Sequence, residues 1–215
     1  MFRSRKLSWV VALAAVSWAA AVQSAAADLD RGKQLAQTCV ACHGGEGEGM
    51  ASGNFPRLNI LTANYMAKQL RDLKSGTRNS PIMQPFVASL NDEQMRDISA
   101  WFAAQTGSPP APSNVDPELL ALGEKLAQRC DWDRYLPACH SCHGPKNQGV
   151  GDAFPALAGQ HASYMELQLN AWRDGSRDND PQHLMLAVAE RMSDKDIKAV
   201  AAWLAAQPAS GAGTP

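Results

Sequence analysis

Cys39-Val40-Ala41-Cys42-His43 and Cys139-His140-Ser141-Cys142-His143 are two copies of one pattern, C-x-x-C-H, whose first cysteines stand 100 residues apart. In this pattern two thiols add across the vinyl groups of a haem, and the adjacent imidazole becomes an axial iron ligand. With 5 Cys and 5 His in the chain, chance placement predicts about 0.003 matches. Two are therefore not coincidence. A four-thiolate zinc ribbon is a weaker reading, because ribbons usually set their cysteine pairs closer and need no His after the second Cys. A thioredoxin-like redox pair would open a helix in a βαβ setting, and no strand alternation flanks either motif.

The chain starts with a charged segment, Arg3, Arg5 and Lys6, followed by an Ala-rich apolar run from Leu7 to Ala21 and by Ala25-Ala26-Ala27 before Asp28. This order reads as a secretory signal peptide over residues 1–27, cleaved after Ala27. An uncleaved anchor is the alternative, but the run is shorter than the roughly 20 residues of a spanning helix. Without the signal, 17 Lys and Arg face 21 Asp and Glu, a net charge of −4, and the whole imbalance lies after residue 106. That balance argues against nucleic acid as a partner.

Laid over each other from the two motifs, the halves repeat. Gly32-Lys33-Gln34-Leu35-Ala36-Gln37 resembles Gly123-Glu124-Lys125-Leu126-Ala127-Gln128, and Phe55-Pro56-Arg57-Leu58 resembles Phe154-Pro155-Ala156-Leu157. Tyr65-Met66 with Gln69-Leu70 matches Tyr164-Met165 with Gln168-Leu169; Gly76-Thr77-Arg78 matches Gly175-Ser176-Arg177; Trp101 to Gln105 match Trp203 to Gln207. A duplicated domain explains the shared order. The expected division is a first domain over 28–106, a Pro-rich linker over 107–117, a second domain over 118–207 and a disordered tail over 208–215.

The class expected is all-α. Met95, Ile98, Trp101 and Phe102 recur at helical spacing after Asn91, as do Ile197, Val200, Trp203 and Leu204 after a Ser193/Asp196 capping-box pattern. Further helices are expected over Gly32–Thr38, Ala63–Lys74, Gly123–Arg129 and Ala162–Arg173. Each domain is small enough that an apolar core alone is marginal, and a haem supplies the missing apolar volume.

What fills the sixth iron position separates carriers from enzymes. Thioether sulfur raises the reduction potential of iron, so one Met per copy is sought. Met83 lies in the proline-bracketed loop Ser80-Pro81-Ile82-Met83-Gln84-Pro85. In the second copy Met185 and Met192 compete. Leu90 follows Met83 by seven residues as Met192 follows Met185, so Met185 takes the ligand place and Met192 the apolar place of Leu90. Met50, Met66, Met95 and Met165 are read as core residues. His183, two residues before Met185, is the competing ligand, while His140 and His161 are read as partly exposed. The Gly44–Gly49 run lets the backbone turn beside the haem, and the Pro56 and Pro155 carbonyls are placed to orient His43 and His143. Cys130 has no thiol left to pair with and reads as a buried or semi-buried inert thiol; a disulfide to another chain or a redox role is the alternative.

The duplicated C-x-x-C-H units, the Pro81–Pro85 loop, the F-P-x-L pairs and Asp180-Pro181 before Met185 together resemble cytochrome c4, over nearly all of the chain after the signal. Cys130 with the inserted Asp131–Ala138, and His183, depart from that pattern. The resemblance implies two tandem class I cytochrome c domains related by a pseudo-two-fold axis, each with one covalently bound haem c. It implies attachment through Cys39, Cys42, Cys139 and Cys142, with iron held by His43 and Met83 and by His143 and Met185. It further implies a soluble periplasmic carrier with no catalytic residues, moving electrons from a quinol-oxidising complex to a terminal oxidase or reductase and touching the membrane only through such partners. Export suits this, since haem is attached to such cytochromes outside the bacterial cytoplasm. Two rivals are a dihaem electron-accepting subunit of a periplasmic dehydrogenase and a dihaem peroxidase with one open iron.

Overall fold

The computed structural model describes residues 26–106, 115–180 and 182–209. Most of the signal segment and the linker lie outside them. The described elements are helical: α1 Leu29–Leu35, α2 Gln37–His43, α3 Ala63–Ser75, α4 Gln84–Val87 and α5 Asp92–Ala103, then α6 Pro117–Gln128, α7 His140–His143, α8 Ala162–Arg173, α9 Leu184–Ala189 and α10 Asp194–Ala205. Among the described residues extended pairing is limited to three isolated bridges, Met50 with Phe55, Asp131 with Leu136 and Val150 with Phe154. No described helix is long and apolar enough to cross a membrane.

The closing helix of each half has the start expected of it. Asn91 and Gln94 form a reciprocal capping box on α5, and Ser193 and Asp196 form one on α10. Such a box satisfies two backbone donors that a helix start leaves open. Behind the caps, Met95, Ile98, Trp101 and Phe102 are buried on α5, and Ile197, Val200 and Leu204 on α10.

The opening helices depart from expectation. Instead of one helix over Gly32–Thr38, α1 starts at Leu29, capped by the Asp28 side chain on Arg31 N–H at 3.0 Å, and ends before Ala36. A second helix, α2, then carries the thiols. In the second half α6 starts at Pro117, capped by Asp116, and ends at Gln128 rather than Arg129. Proline suits a first helical turn, whose N–H groups have no intrahelical acceptor.

In each half the first and last helices cross at a glycine. A Cβ on Gly32 would lie 2.3 Å from Asp97 O, and one on Gly123 would lie 2.1 Å from Ala199 O. Only hydrogen fits there, which accounts for the repeated glycine. Around each crossing lies a core: Ala36, Ile60, Leu61, Tyr65, Met66, Ile98, Trp101 and Phe102 in the first half, and Leu126, Leu136, Met165, Met192, Ile197, Val200 and Leu204 in the second.

The halves meet along a polar seam. The Gln160 side-chain amide accepts from Arg57 N–H at 2.8 Å and donates to Arg57 O at 3.0 Å, as a neighbouring strand would. Thr62 donates to Gly151 O, Ser163 to Ala51 O and His161 Nε2 to Glu48 O. Ala209, in the stretch expected to be a disordered tail, packs against the first core; residues 210–215 lie outside the described structure.

Candidate haem sites

Both attachment motifs sit at the end of a short helix, and the loop that follows fixes the imidazole. His43 closes α2 and His143 closes α7, and both are buried, at 5 % and 6 % exposure. Gly44 and Gly144 turn the chain at φ 81° and 88°, a region that side-chain-bearing residues rarely adopt. The loop then folds back until Gly49 N–H donates to His43 O at 2.7 Å and Gly149 N–H to His143 O at 2.8 Å.

This return brings Pro56 O to 3.1 Å from His43 Nδ1 and Pro155 O to 2.8 Å from His143 Nδ1, as the sequence led us to expect. A carbonyl only accepts, so Nδ1 carries the proton in both rings and Nε2 keeps its lone pair. Burial lowers both imidazoles below their ordinary value, against the opposing pull of the proline carbonyls. Each ring is therefore neutral at physiological pH, which is the form that binds iron. The preceding phenylalanines set the tilt: Phe55 lies edge-on to His43 at 6.1 Å between centroids, and Phe154 to His143 at 6.0 Å. Their role was not read from the sequence, although the F-P-x-L repeat marked the position.

Among the described residues no disulfide joins the four motif cysteines or half-buried Cys130. Burial raises the Cys39 thiol and pushes Cys139 up to about 12. Among the described residues no three His, Cys, Asp or Glu side chains converge as a metal cage. Each C-x-x-C-H stands by itself.

The methionines sort as follows. Met66, Met95, Met165 and Met192 are buried in the cores, whereas Met50 is 46 % exposed on the bridge to Phe55 and does not pack as expected. Met83 and Met185 are half-buried and lie outside both core clusters. Met83 caps α4, its N–H donating to Ser80 O at 3.1 Å. Met185 sits in the first turn of α9, its N–H held by the Asp180 carboxylate at 2.7 Å. His183 adopts a left-handed backbone at φ 52°, and its side chain is 61 % exposed and bonded to Asp178 at 2.6 Å. His140 and His161 are partly exposed, bonded to Ala127 O and Glu48 O.

The residues present fit a covalently held haem in each half. Two thiols lie one helical turn apart, next to a neutral imidazole with a free Nε2. In addition, the side-chain amides of Asn59 and Asn147 are buried with no hydrogen-bond partner, and such donors suit the carboxylate edge of a haem. The donor set defines a protein of the covalent-haem class, carrying the site twice.

A family model described as cytochrome c matches residues 29–105 and 120–207. The chain belongs to the cytochrome c family. The thiosulfate dehydrogenase electron acceptor of Stutzerimonas stutzeri (strain A1501) is 46% identical to it over 170 residues, 79% of this chain and 79% of the relative. Cytochrome c4 of Pseudomonas aeruginosa is 38% identical over 182 residues, 84% of this chain and 89% of the relative. The crystal structure of reduced recombinant cytochrome c4 from Pseudomonas stutzeri matches with a TM-score of 0.78 at 36% identity, covering 85% of this chain and 100% of that one. The fold is accordingly two tandem helical cytochrome c domains, and the chain is a dihaem electron-transfer cytochrome with two covalently bound haem c groups.

Proposed function

We propose that the chain is an exported periplasmic carrier rather than an enzyme, with both irons closed to substrate. Cys39, Cys42, His43 and Met83 hold one haem, and Cys139, Cys142, His143 and Met185 hold the other, in domains divided at the linker. When bound, each haem supplies one iron that cycles between ferric and ferrous. The chain's own residues keep that cycle free of other chemistry. Pro56 and Pro155 hold the imidazoles in one tautomer and one plane. Burial keeps protons off Nε2, and hydrogen bonds to Ser80 and Asp180 fix the backbone of the two methionines. The observation that carries the reading is the repeated imidazole geometry, built twice with the same carbonyl and the same aromatic edge.

The donor we favour is a periplasmic dehydrogenase of the thiosulfate-oxidising kind, because the relative at 46% identity is named as the electron acceptor of such an enzyme. Delivery from a quinol-oxidising complex is the second reading, favoured by the cytochrome c4 relative at 38%. A terminal oxidase or reductase takes the electrons in either case. Stopped-flow reduction separates the two. The expected result is fast reduction of both haems by thiosulfate with its dehydrogenase, and none by thiosulfate alone. Reduction only by the quinol-oxidising complex moves the donor to the second reading, and rapid cyanide binding to the oxidised protein overturns the carrier reading.

A further inference from the structure

Each half sends the same three side chains into the middle of the seam: Tyr65, Gln69 and Arg78 from the first, Tyr164, Gln168 and Arg177 from the second. Arg78 donates to its own Gln69 at 3.0 Å, then across the seam to Tyr164 OH and Gln168 Oε1, both at 3.0 Å. Arg177 returns the pattern, donating to its own Gln168 at 2.7 Å, and across to Tyr65 OH at 3.3 Å and Gln69 Oε1 at 3.2 Å. Arg177, Tyr65 and Gln69 are buried, and Arg78 is partly so. Beside them Asp72 is shared between Lys68 and Asn179.

Among the described residues every hydrogen bond from either guanidinium ends on a neutral oxygen. Asp72 attracts Arg78 from beside the cluster, yet among the described residues no carboxylate bonds to either guanidinium, and the remedy for a buried cation is one atom away. Gln69 Oε1 receives Arg78, Arg177 and Asn179, and Gln168 Oε1 receives both arginines. A glutamate at either place would form a two-armed ion pair with almost no change of shape. Glutamine occupies both, so the positive charge is kept. The field is felt locally: burial alone would raise the Tyr164 hydroxyl, yet Arg78 and Arg177 draw it below its ordinary value.

A fixed cation favours the less positive state of a nearby iron, and a buried one is little screened by salt. Arg78 precedes Met83 by five residues, at most about 18 Å of chain, and Arg177 precedes Met185 by eight, at most about 29 Å. We propose that Arg78 and Arg177 form one shared cationic element that raises the reduction potentials of both haems, each arginine acting on the other half's iron as well as its own. This rests on the ligand assignment proposed above. The arginines touch no reacting atom and act through their field.

The test is a redox titration of the holoprotein, following each haem optically, with haem count and thermal midpoint on the same samples. Gln69→Glu adds the missing carboxylate while keeping the clamp. It is expected to lower both potentials, shifting the reduced-to-oxidised ratio roughly five-fold at each haem, with the thermal midpoint held or raised. Arg78→Lys keeps the charge and loses the fork, so both potentials stay while the thermal midpoint falls. Movement of one potential only, or of neither in Gln69→Glu, overturns the inference and leaves a structural clamp. A wild-type protein without two methionine-ligated haems overturns the ligand assignment and this inference together.

Discussion

The two halves share a haem site and differ in how the closing helix is tied down. In the first, the acid lies in the middle of α5: Asp97, 1 % exposed, takes Arg31 Nε and Asp28 N–H from the start of α1. Its counterpart in α10 is Ala199, buried against Gly123. The second half ties its helix at the other end of the sequence pattern, where Asp196 of the capping box takes Arg134 at 2.7 Å. Arg134 belongs to the inserted loop Asp131–Ala138, which is itself closed by a backbone bridge from Asp131 to Leu136 and leaves Trp132 and Tyr135 exposed. The insertion therefore supplies an anchor that Ala199 does not. The imidazole loop is built alike in both halves, while the closing helix is held by different contacts.

Methionine substitutions break this comparison most sharply. Met83→Ala and Met185→Ala should each remove the sulfur-to-iron absorption band of one haem and leave the other. Met192→Ala should keep both bands and lower stability by about 2–5 kcal/mol, as for other buried methionines. Loss of a band in Met192→Ala would reverse the assignment in the second half.

Acid denaturation sharpens it next. Burial works to raise the Asp97 carboxyl, but Arg31 and Asp28 N–H hold it below its usual value. Asp196 is likewise lowered, burial being outweighed by Ser193 and Arg134. A depressed carboxyl contributes stability in full above its unfolded value of about 3.9, and that contribution is lost as pH falls through the folded value. Asp97→Asn and Asp196→Asn should each cost about 1–3 kcal/mol at pH 7 and flatten the acid limb of denaturant melts. Hydrogen exchange should place the first loss in α1 and α5, and the second in the inserted loop and α10.

The smallest effect tests a compensation. Gly47 leaves room for Phe102, since a Cβ there would lie 2.8 Å from the ring. The second half carries Asn147, at a similar φ of 54°, and the smaller Leu204 at the matching positions. Gly47→Asn should destabilise the first half, and adding Phe102→Leu should recover part of the loss, with a coupling of about 0.5–3 kcal/mol in a double-mutant cycle.

Much of this was legible in the sequence, because the signals were local. The attachment motifs, the caps at Asn91 and Ser193 and the stripes behind them each lie within a few residues. The proline carbonyls were legible too, because the repeat fixed their distance from the histidines. The start of α1 was missed because its cap, Asp28, adjoins the signal exit and its backbone N–H bonds to Asp97, 69 residues on. The repeated Tyr, Gln and Arg were seen as landmarks without a purpose. Their partners lie in the other copy, and no spacing within one copy points across the seam. Met50 was misplaced because hydrophobicity alone does not tell a loop bridge from a core.

The glycine crossing dictates an order of assembly. Gly32 sits against Asp97 and Gly123 against Ala199, so each half joins its earliest turn to its latest and stays unlocked until its final helix has been synthesised. The cysteines of that half are made well before it. Each attachment motif is therefore complete in the chain before the crossing that closes its half can form.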